Sequence, residues 1–352
     1  MLGLVLLSMV GMAGMAAAFG LFDSSSDETP EEAVDDADLQ DELALLDGSE
    51  IDELEAALTE DPLLAQGEVE TEADLLVPYE DLNGFADIGG TEGRDLILIP
   101  EDVGSDHDLI RGEGGNDVVM GNSGDNPATG GAGDDLIFGR DGFDQLFGDD
   151  GDDTLAAGGG DDLLFGAFGS DVMYGGAGND AIYDGALDGG EAESTDVIVA
   201  GEGDDGIVVQ DGVNLVALGS GQDHVTVFGR EGDHPAAVIS DFDAAQDALL
   251  LGVYAPGVAL PPGANGIELG YTLREIETEL GRGTLVQPAG TEEIDAEALG
   301  EGASVGYAVL LGVRPQDLAG AEIRVVLETP ETVRFAAGSV EGVAQLMGAT
   351  RI

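Results

Sequence analysis

The sequence predicts an all-β chain. A parallel β-roll of nine-residue turns is followed by a β-rich C-terminal cap and preceded by a hydrophobic helix and an acidic linker. Three observations carry this. A nine-residue period of Gly, Asp and a large apolar residue runs through the middle of the chain. Glycine takes 58 of 352 positions, more than twice the usual share of about 7%, with no collagen-like three-residue period. Beyond the periodic stretch, short apolar runs alternate with turn residues, as strands do.

Residues 1–22, MLGLVLLSMVGMAGMAAAFGLF, contain no charged side chain. A helix of this length spans about 33 Å at ~1.5 Å per residue, enough for a bilayer core of roughly 30 Å. The segment is expected to be either a single-span membrane anchor or a signal segment. Ala16-Ala17-Ala18 offers a cleavage site, but no Lys or Arg precedes it.

Residues 23–88 open as an acidic stretch that carries no basic residue up to 81. Two short stretches, 38–46 and 51–58, space Leu, Ile and Ala as a helix would. The segment is expected to be a largely disordered acidic linker.

The periodic region occupies 89–234. With nine positions written G-G-x-G-x-D-x-U-x, units begin at 103, 112, 121, 130, 139, 148, 157, 166 and 175 in unbroken register. An earlier unit at 90–98 precedes a four-residue insertion. After a seven-residue insertion at 184–190 the register resumes at 191, 200, 209 and 218. Across these fourteen units position 8 is always apolar. Position 6 is Asp except at Asn126 and Asn214, and position 4 is Gly except at Asp106 and Ser194. Gly121–Thr129, which holds Pro127 and Ala128, is the weakest unit.

Glycines at positions 2 and 4 permit positive φ, so the chain can turn tightly and aim carbonyls inward. Asp at position 6 closes the turn. Positions 7–9 form a short strand whose position-8 side chain enters the core. Successive units then lie on opposite sheets, and units two apart stack. Asp117, Asp135, Asp153 and Asp171 form one ladder. Asp108, Asp144, Asp162 and Asp180 form the other, interrupted by Asn126. Carboxylates about 4.8 Å apart repel by roughly 1 kcal/mol in water and by about 3–4 kcal/mol at an effective dielectric of 20. One aliphatic side chain per unit returns only about 1.5–3 kcal/mol, against about 1 kcal/mol or more for ordering each residue. The ladders therefore call for a bridging cation. Hard oxygen ligands in flexible six- to eight-fold coordination favour Ca²⁺.

Residues 235–329 lose the Gly/Asp period. The runs AAVISDF, DALLLGV, GTLVQP, GYAVLLGV and AEIRVVLE read as strands of a β-rich cap. Asp241, Asp243 and Asp247 form either a capped strand turn or one more cation site. Residues 330–352 form a tail.

These units resemble the RTX (haemolysin-type) calcium-binding repeat proteins. The resemblance implies several Ca²⁺ ions held between stacked turns by position-6 Asp side chains and glycine-turn carbonyls. It implicates Asp95, Asp108, Asp117, Asp135, Asp144, Asp153, Asp162, Asp171, Asp180, Asp205 and Asp223. It implicates the turn glycines Gly115, Gly131, Gly133, Gly151, Gly160, Gly169, Gly176 and Gly178. In that family C-terminal segments also serve as uncleaved export signals, and an N-terminal hydrophobic segment is atypical of that route.

Ten Arg and no Lys stand against 74 Asp plus Glu, a net charge of -64. Such a polyanion repels nucleic acid and anionic lipid and attracts cations. Cysteine chemistry is excluded by composition. No HExxH occurs. His107 and His224 fall inside repeats, and no His follows Ser304 of the G-x-S-x-G match at 302–306. The chain is thus expected to be a non-enzymatic, calcium-binding, extracytoplasmic structural or adhesion module. The alternative is a secreted enzyme or toxin with its site in 235–352.

Overall fold

The computed structural model describes residues 75–76, 87–99, 109–185, 194–210, 212–228, 236–255, 267–278, 280–289 and 304–328. The hydrophobic segment 1–22, the two helical stretches of the linker, Asp108 and the tail lie outside these residues. Among the described residues no helix is long and apolar enough to cross a membrane.

In the repeats most strands run from position 7 of one unit to position 3 of the next, as in Leu136–Asp141 and Thr154–Gly159. Alternation of successive strands builds two twelve-stranded sheets. The first takes, in spatial order, Leu75–Leu76, Asp95–Leu98, Val118–Met120, Leu136–Asp141, Thr154–Gly159, Val172–Ala177, Val197–Glu202, Val213–Ser220, Ala236–Ile239, Tyr307–Leu311, Gly281–Pro288 and Tyr271–Thr278. The second takes Ile267–Leu269, Glu322–Glu328, Ala248–Tyr254, His224–Val227, Gly206–Val209, Ala181–Gly185, Leu163–Phe168, Gln145–Asp150, Pro127–Ala132, Leu109–Gly114 and Asp87–Gly89, with Ser304–Val305 paired to Ala248–Tyr254.

Neighbours in each sheet of the roll are parallel and in register: Leu136 pairs with Thr154, and Leu163 with Ala181. The spacing is two nonapeptides. It lengthens only where the chain carries its insertions, so that Asp87 pairs with Leu109 and Val172 with Val197. Parallel pairing holds on either side of each insertion.

Because the register is strict, position 8 makes two apolar columns between the sheets. One runs Ile97, Val119, Ile137, Leu155, Met173, Ile198 and Val216. The other runs Ile110, Ala128, Leu146, Leu164, Ile182, Ile207 and Val225. All are essentially inaccessible. Leu164→Ala removes three heavy atoms from a column whose rungs cannot close up independently. It is expected to cost about 2–5 kcal/mol, read as a lowered denaturant midpoint in saturating calcium.

The core is richer than one aliphatic side chain per unit. Positions 7 and 9 point outward, yet Met120, Phe138, Tyr174 and Val197 form a second buried cluster outside the first sheet. Leu163, Phe165, Tyr183 and Val208 form a third outside the other sheet. In-register stacking is the reason. Phe147 and Phe165 lie 5.0 Å apart between centroids with planes 3° from parallel, and Tyr183 follows at 5.6 Å. That spacing is the strand separation itself.

The five apolar runs predicted as strands after 235 are strands. Both sheets run on through them without a break. Ala236–Ile239 pairs in parallel with Val213–Ser220, and Ala248–Tyr254 with His224–Val227. Tyr307–Leu311 and Glu322–Glu328 then add one more parallel rung to each sheet. The position-8 columns continue as Ile239 and Leu310, and as Leu249 and Ile323. The hairpin of Tyr271–Thr278 and Gly281–Pro288 pairs antiparallel at the edge of the first sheet.

Candidate metal centre

The turns that join the two sheets are set by backbone sign. Gly115, Gly131, Gly133, Gly151, Gly160, Gly169, Gly176 and Gly178 all have φ between +105° and +146°. These are the glycines singled out from the sequence, at positions 2 and 4. Position 2 also admits Glu113, Arg140, Asp149 and Ala167 at φ from +74° to +86°, a left-handed geometry that costs an L-residue about 1–2 kcal/mol. Position 4 is stricter, because the turns stack directly on one another. A Cβ on Gly160 would overlap the carbonyl oxygen of Gly142, and one on Gly178 that of Gly160.

Gly160→Ala is therefore expected to destabilise the calcium-loaded roll by more than about 3 kcal/mol, strain and overlap together. Gly93→Ala, at the same repeat position but with only Thr91 Oγ1 within 4 Å and no positive φ, should stay within about 0.5 kcal/mol. Thermal unfolding of the two variants side by side checks the contrast.

The position-6 side chains form two buried ladders. In the first, the backbone N–H of Asp95 donates to Oδ1 of Asp117 (2.6 Å) and that of Asp117 to Oδ1 of Asp135 (2.7 Å). Asp135 donates to Asp153 (2.7 Å), Asp153 to Asp171 (2.9 Å), Asp171 to Asp196 (2.7 Å) and Asp196 to Asn214 (2.7 Å). The second runs from Asn126 to Asp144 (2.8 Å), Asp162 (2.7 Å), Asp180 (2.9 Å), Asp205 (2.8 Å), Asp223 (2.9 Å) and Asp247 (3.3 Å) by the same bond. Every Asp of the two ladders except Asp95 thus spends one oxygen on the neighbouring coil.

The other oxygen is left bare. Oδ2 of Asp117, Asp135, Asp144, Asp153, Asp162, Asp180 and Asp205 is buried and accepts no hydrogen bond. Position-1 glycine makes the space beside it: a Cβ on Gly112 would stand 2.5 Å from Oδ2 of Asp117, and those on Gly130, Gly139, Gly148 and Gly175 would meet their own Asp in the same way. An uncompensated buried carboxylate costs several kcal/mol. Burial accordingly pushes these carboxyls up from the ordinary 3.8, and nearby aspartates push them further, against the pull of the backbone N–H. Asp117 and Asp223 rise to about 6, Asp135, Asp144, Asp162, Asp180 and Asp205 to about 7, and Asp153 to about 9.

A row of anionic oxygens facing a glycine-lined gap fits a hard cation. Among the described residues no three acidic or imidazole side chains converge. The carboxylates alone would fill only part of a shell of the six to eight oxygens that Ca²⁺ takes, so a site here would need glycine-turn carbonyls as well.

Every predicted ladder aspartate among the described residues stands in one of the two ladders. Asp108 lies outside those residues. Two participants were missed. Asp196 sits at position 6 and was passed over because Ser194 breaks the glycine pattern beside it; its own Asp was the signal. Asp247, raised with Asp241 and Asp243 as either a capped turn or one more cation site, extends the second ladder past the last repeat. Asp184, in the insertion, accepts the Gln210 backbone N–H (2.7 Å) and has no periodic signal. Of the cluster raised as one more site, Asp241 accepts the N–H groups of Leu218 and Gly219, and Asp243 those of Ala245 and the Gln246 amide. It is a turn closed by hydrogen bonds.

Position 5, read as variable, carries an outer ladder of opposite sense. Oδ1 of Asp134 accepts from Asp152 N–H (3.2 Å), Asp152 from Ser170 (2.8 Å), Asp161 from Asn179 (2.9 Å) and Asp204 from Gln222 (2.9 Å).

The family model of the RTX calcium-binding nonapeptide repeat matches the chain in four copies, at 102–126, 129–164, 147–182 and 193–225. The gaps fall at Pro127-Ala128 and at the seven-residue insertion, where the period itself is weakest. No curated protein and no solved structure matches the chain. The stretch from 102 to 225 is an array of RTX calcium-binding nonapeptide repeats, and the ion such repeats bind is Ca²⁺.

Proposed function

We propose that the chain is an extracytoplasmic structural or adhesion module whose β-roll folds as Ca²⁺ fills the two aspartate ladders. The observation that carries this is the row of buried Oδ2 atoms without donors. Proteins with RTX repeats typically act outside the cell, where calcium modules operate at about 10⁻⁴–10⁻³ M. A net charge of -64 suits a surface that must stay solvated and gather cations. The non-catalytic part of the reading is supported by the interior of 236–328. Phe242, Leu251, Val253, Val286, Val305, Leu310, Leu318 and Val325 fill the space between the sheets. A partly open depression of mixed polar and apolar lining, which includes His224, Glu322 and Arg324, lies on the second sheet.

Fractionation of cells producing the full chain tests the location. Recovery in the medium, or at the surface where protease reaches it on intact cells, is expected; retention in the cytoplasm would overturn it. In solution, several calcium ions per chain are expected by equilibrium dialysis, and magnesium at matched concentration should compete poorly.

A further inference from the structure

The two asparagines of the ladders do something the aspartates cannot. Asn126 is buried, and its backbone N–H keeps the ladder bond to Asp144. Its side-chain Nδ2 donates to the carbonyl oxygens of Asn122 (3.2 Å) and Gly124, and lies 3.3 Å from Asn122 Oδ1. Asn122 and Gly124 are positions 2 and 4 of the same unit, the turn whose carbonyls the calcium reading assigns to the cation in other units. Asn214, in the other ladder, uses its amide differently. Its Oδ1 accepts the Asp196 N–H (2.7 Å), as an Asp would, while Nδ2 donates to Oδ2 of Asp184.

Two further rungs are closed by donors from the chain. Oδ2 of Asp95 accepts the backbone N–H (2.5 Å) and hydroxyl (2.9 Å) of Thr91. Oδ2 of Asp247 accepts the N–H of Asp243 (2.7 Å). The bare Oδ2 atoms all belong to rungs between these four places.

We propose that Asn126 and Asn214 are built-in cation substitutes: their amide N–H groups occupy the place of a calcium ion, making those rungs metal-free and, with Thr91 and Asp243, setting where each run of calcium sites begins and ends. An amide donates to carbonyl and carboxylate oxygens without adding charge, so the asparagine side chains bury no anion of their own for an ion to offset, although Asn126 Oδ1 stays buried without a donor. These rungs supply folded turns against which the first calcium-filled rung can stack. The proposal rests on the calcium reading given above and deepens it.

The test uses the full chain, stripped with chelator and then titrated with calcium alone. Asn126→Asp restores a bare carboxylate to the rung. It is expected to bind one more calcium ion per chain by equilibrium dialysis, and to melt lower than wild type in chelator. Asp162→Asn is the reciprocal change and guards against a misfolded first variant. It is expected to bind fewer ions than wild type and to melt higher in chelator. Unchanged ion counts in both variants, with a wild-type chain that binds calcium, overturn the proposal alone. Wild type that binds no calcium overturns the calcium reading, and this proposal with it.

Discussion

Chelation of calcium at about pH 7.5 is expected to abolish the β signal of the roll, and re-addition of calcium to restore it cooperatively. At that pH a carboxyl raised by about three pH units is held mostly ionised at a cost of about 4 kcal/mol. Asp135, Asp144, Asp162, Asp180 and Asp205 are all in that state. Net stabilities of folded domains are only about 5–15 kcal/mol. The outer apolar clusters around Phe138 and Phe165 return more than the sequence alone suggests. Even so, two or three uncompensated rungs consume a whole domain's margin. Calcium that binds the folded arrangement in preference to the unfolded chain would stabilise it by mass action. Circular dichroism during a calcium titration of chelated protein decides the matter. A β signal indifferent to chelator would show that the apolar columns outweigh the ladders.

The roll was legible in the sequence because its period is a direct image of its geometry. One residue type per position must satisfy one steric or electrostatic demand, and stacking repeats that demand at every coil. Position 8 gave the core columns, position 6 the ladders and positions 2 and 4 the left-handed turns. Even the insertions were readable, since each lengthens only the two pairing intervals that span it, one in each sheet. What escaped had no such repetition. The rung at 236–254, with Asp247 in its ladder, keeps the stacking but replaces the glycine turn with a longer hydrogen-bonded one, so the period vanishes while both sheets continue. The position-5 ladder escaped for a different reason. Asp, Asn, Ser and Gln all serve as rungs there, because an exposed hydrogen bond to a backbone N–H needs only an oxygen at the right distance. Burial makes position 6 selective for Asp and Asn; exposure leaves position 5 tolerant. The role of Asn126 was likewise hidden, since a sequence shows the loss of a carboxylate but not the amide donating into its own turn.

Acid is expected to replace calcium in part. The ladder carboxyls are raised in the folded chain and ordinary in the unfolded one. Below about pH 4 both states are protonated, and the ladders carry no penalty. As pH rises from about 4 toward 7, the folded chain still holds protons that the unfolded chain has released, so stability falls with rising pH. The penalty is complete once the pH passes the folded values, about 7 for most rungs and about 9 for Asp153. Metal-free protein should therefore gain β structure as pH is lowered from about 8 to 5. The exposed carboxylates that make up most of the -64 charge relieve their mutual repulsion only near about pH 4. A midpoint between about 6 and 7 thus points to the ladders, and one near 4 to general charge collapse. Calcium-loaded protein must respond in the opposite sense. Protons and calcium compete for the same Oδ2 atoms, so acid weakens calcium binding while it strengthens the metal-free fold. Melting curves with calcium and with chelator should converge as pH falls. A gap between them that stays constant from about pH 8 to 5 would mean that the ion is held somewhere other than the aspartate ladders.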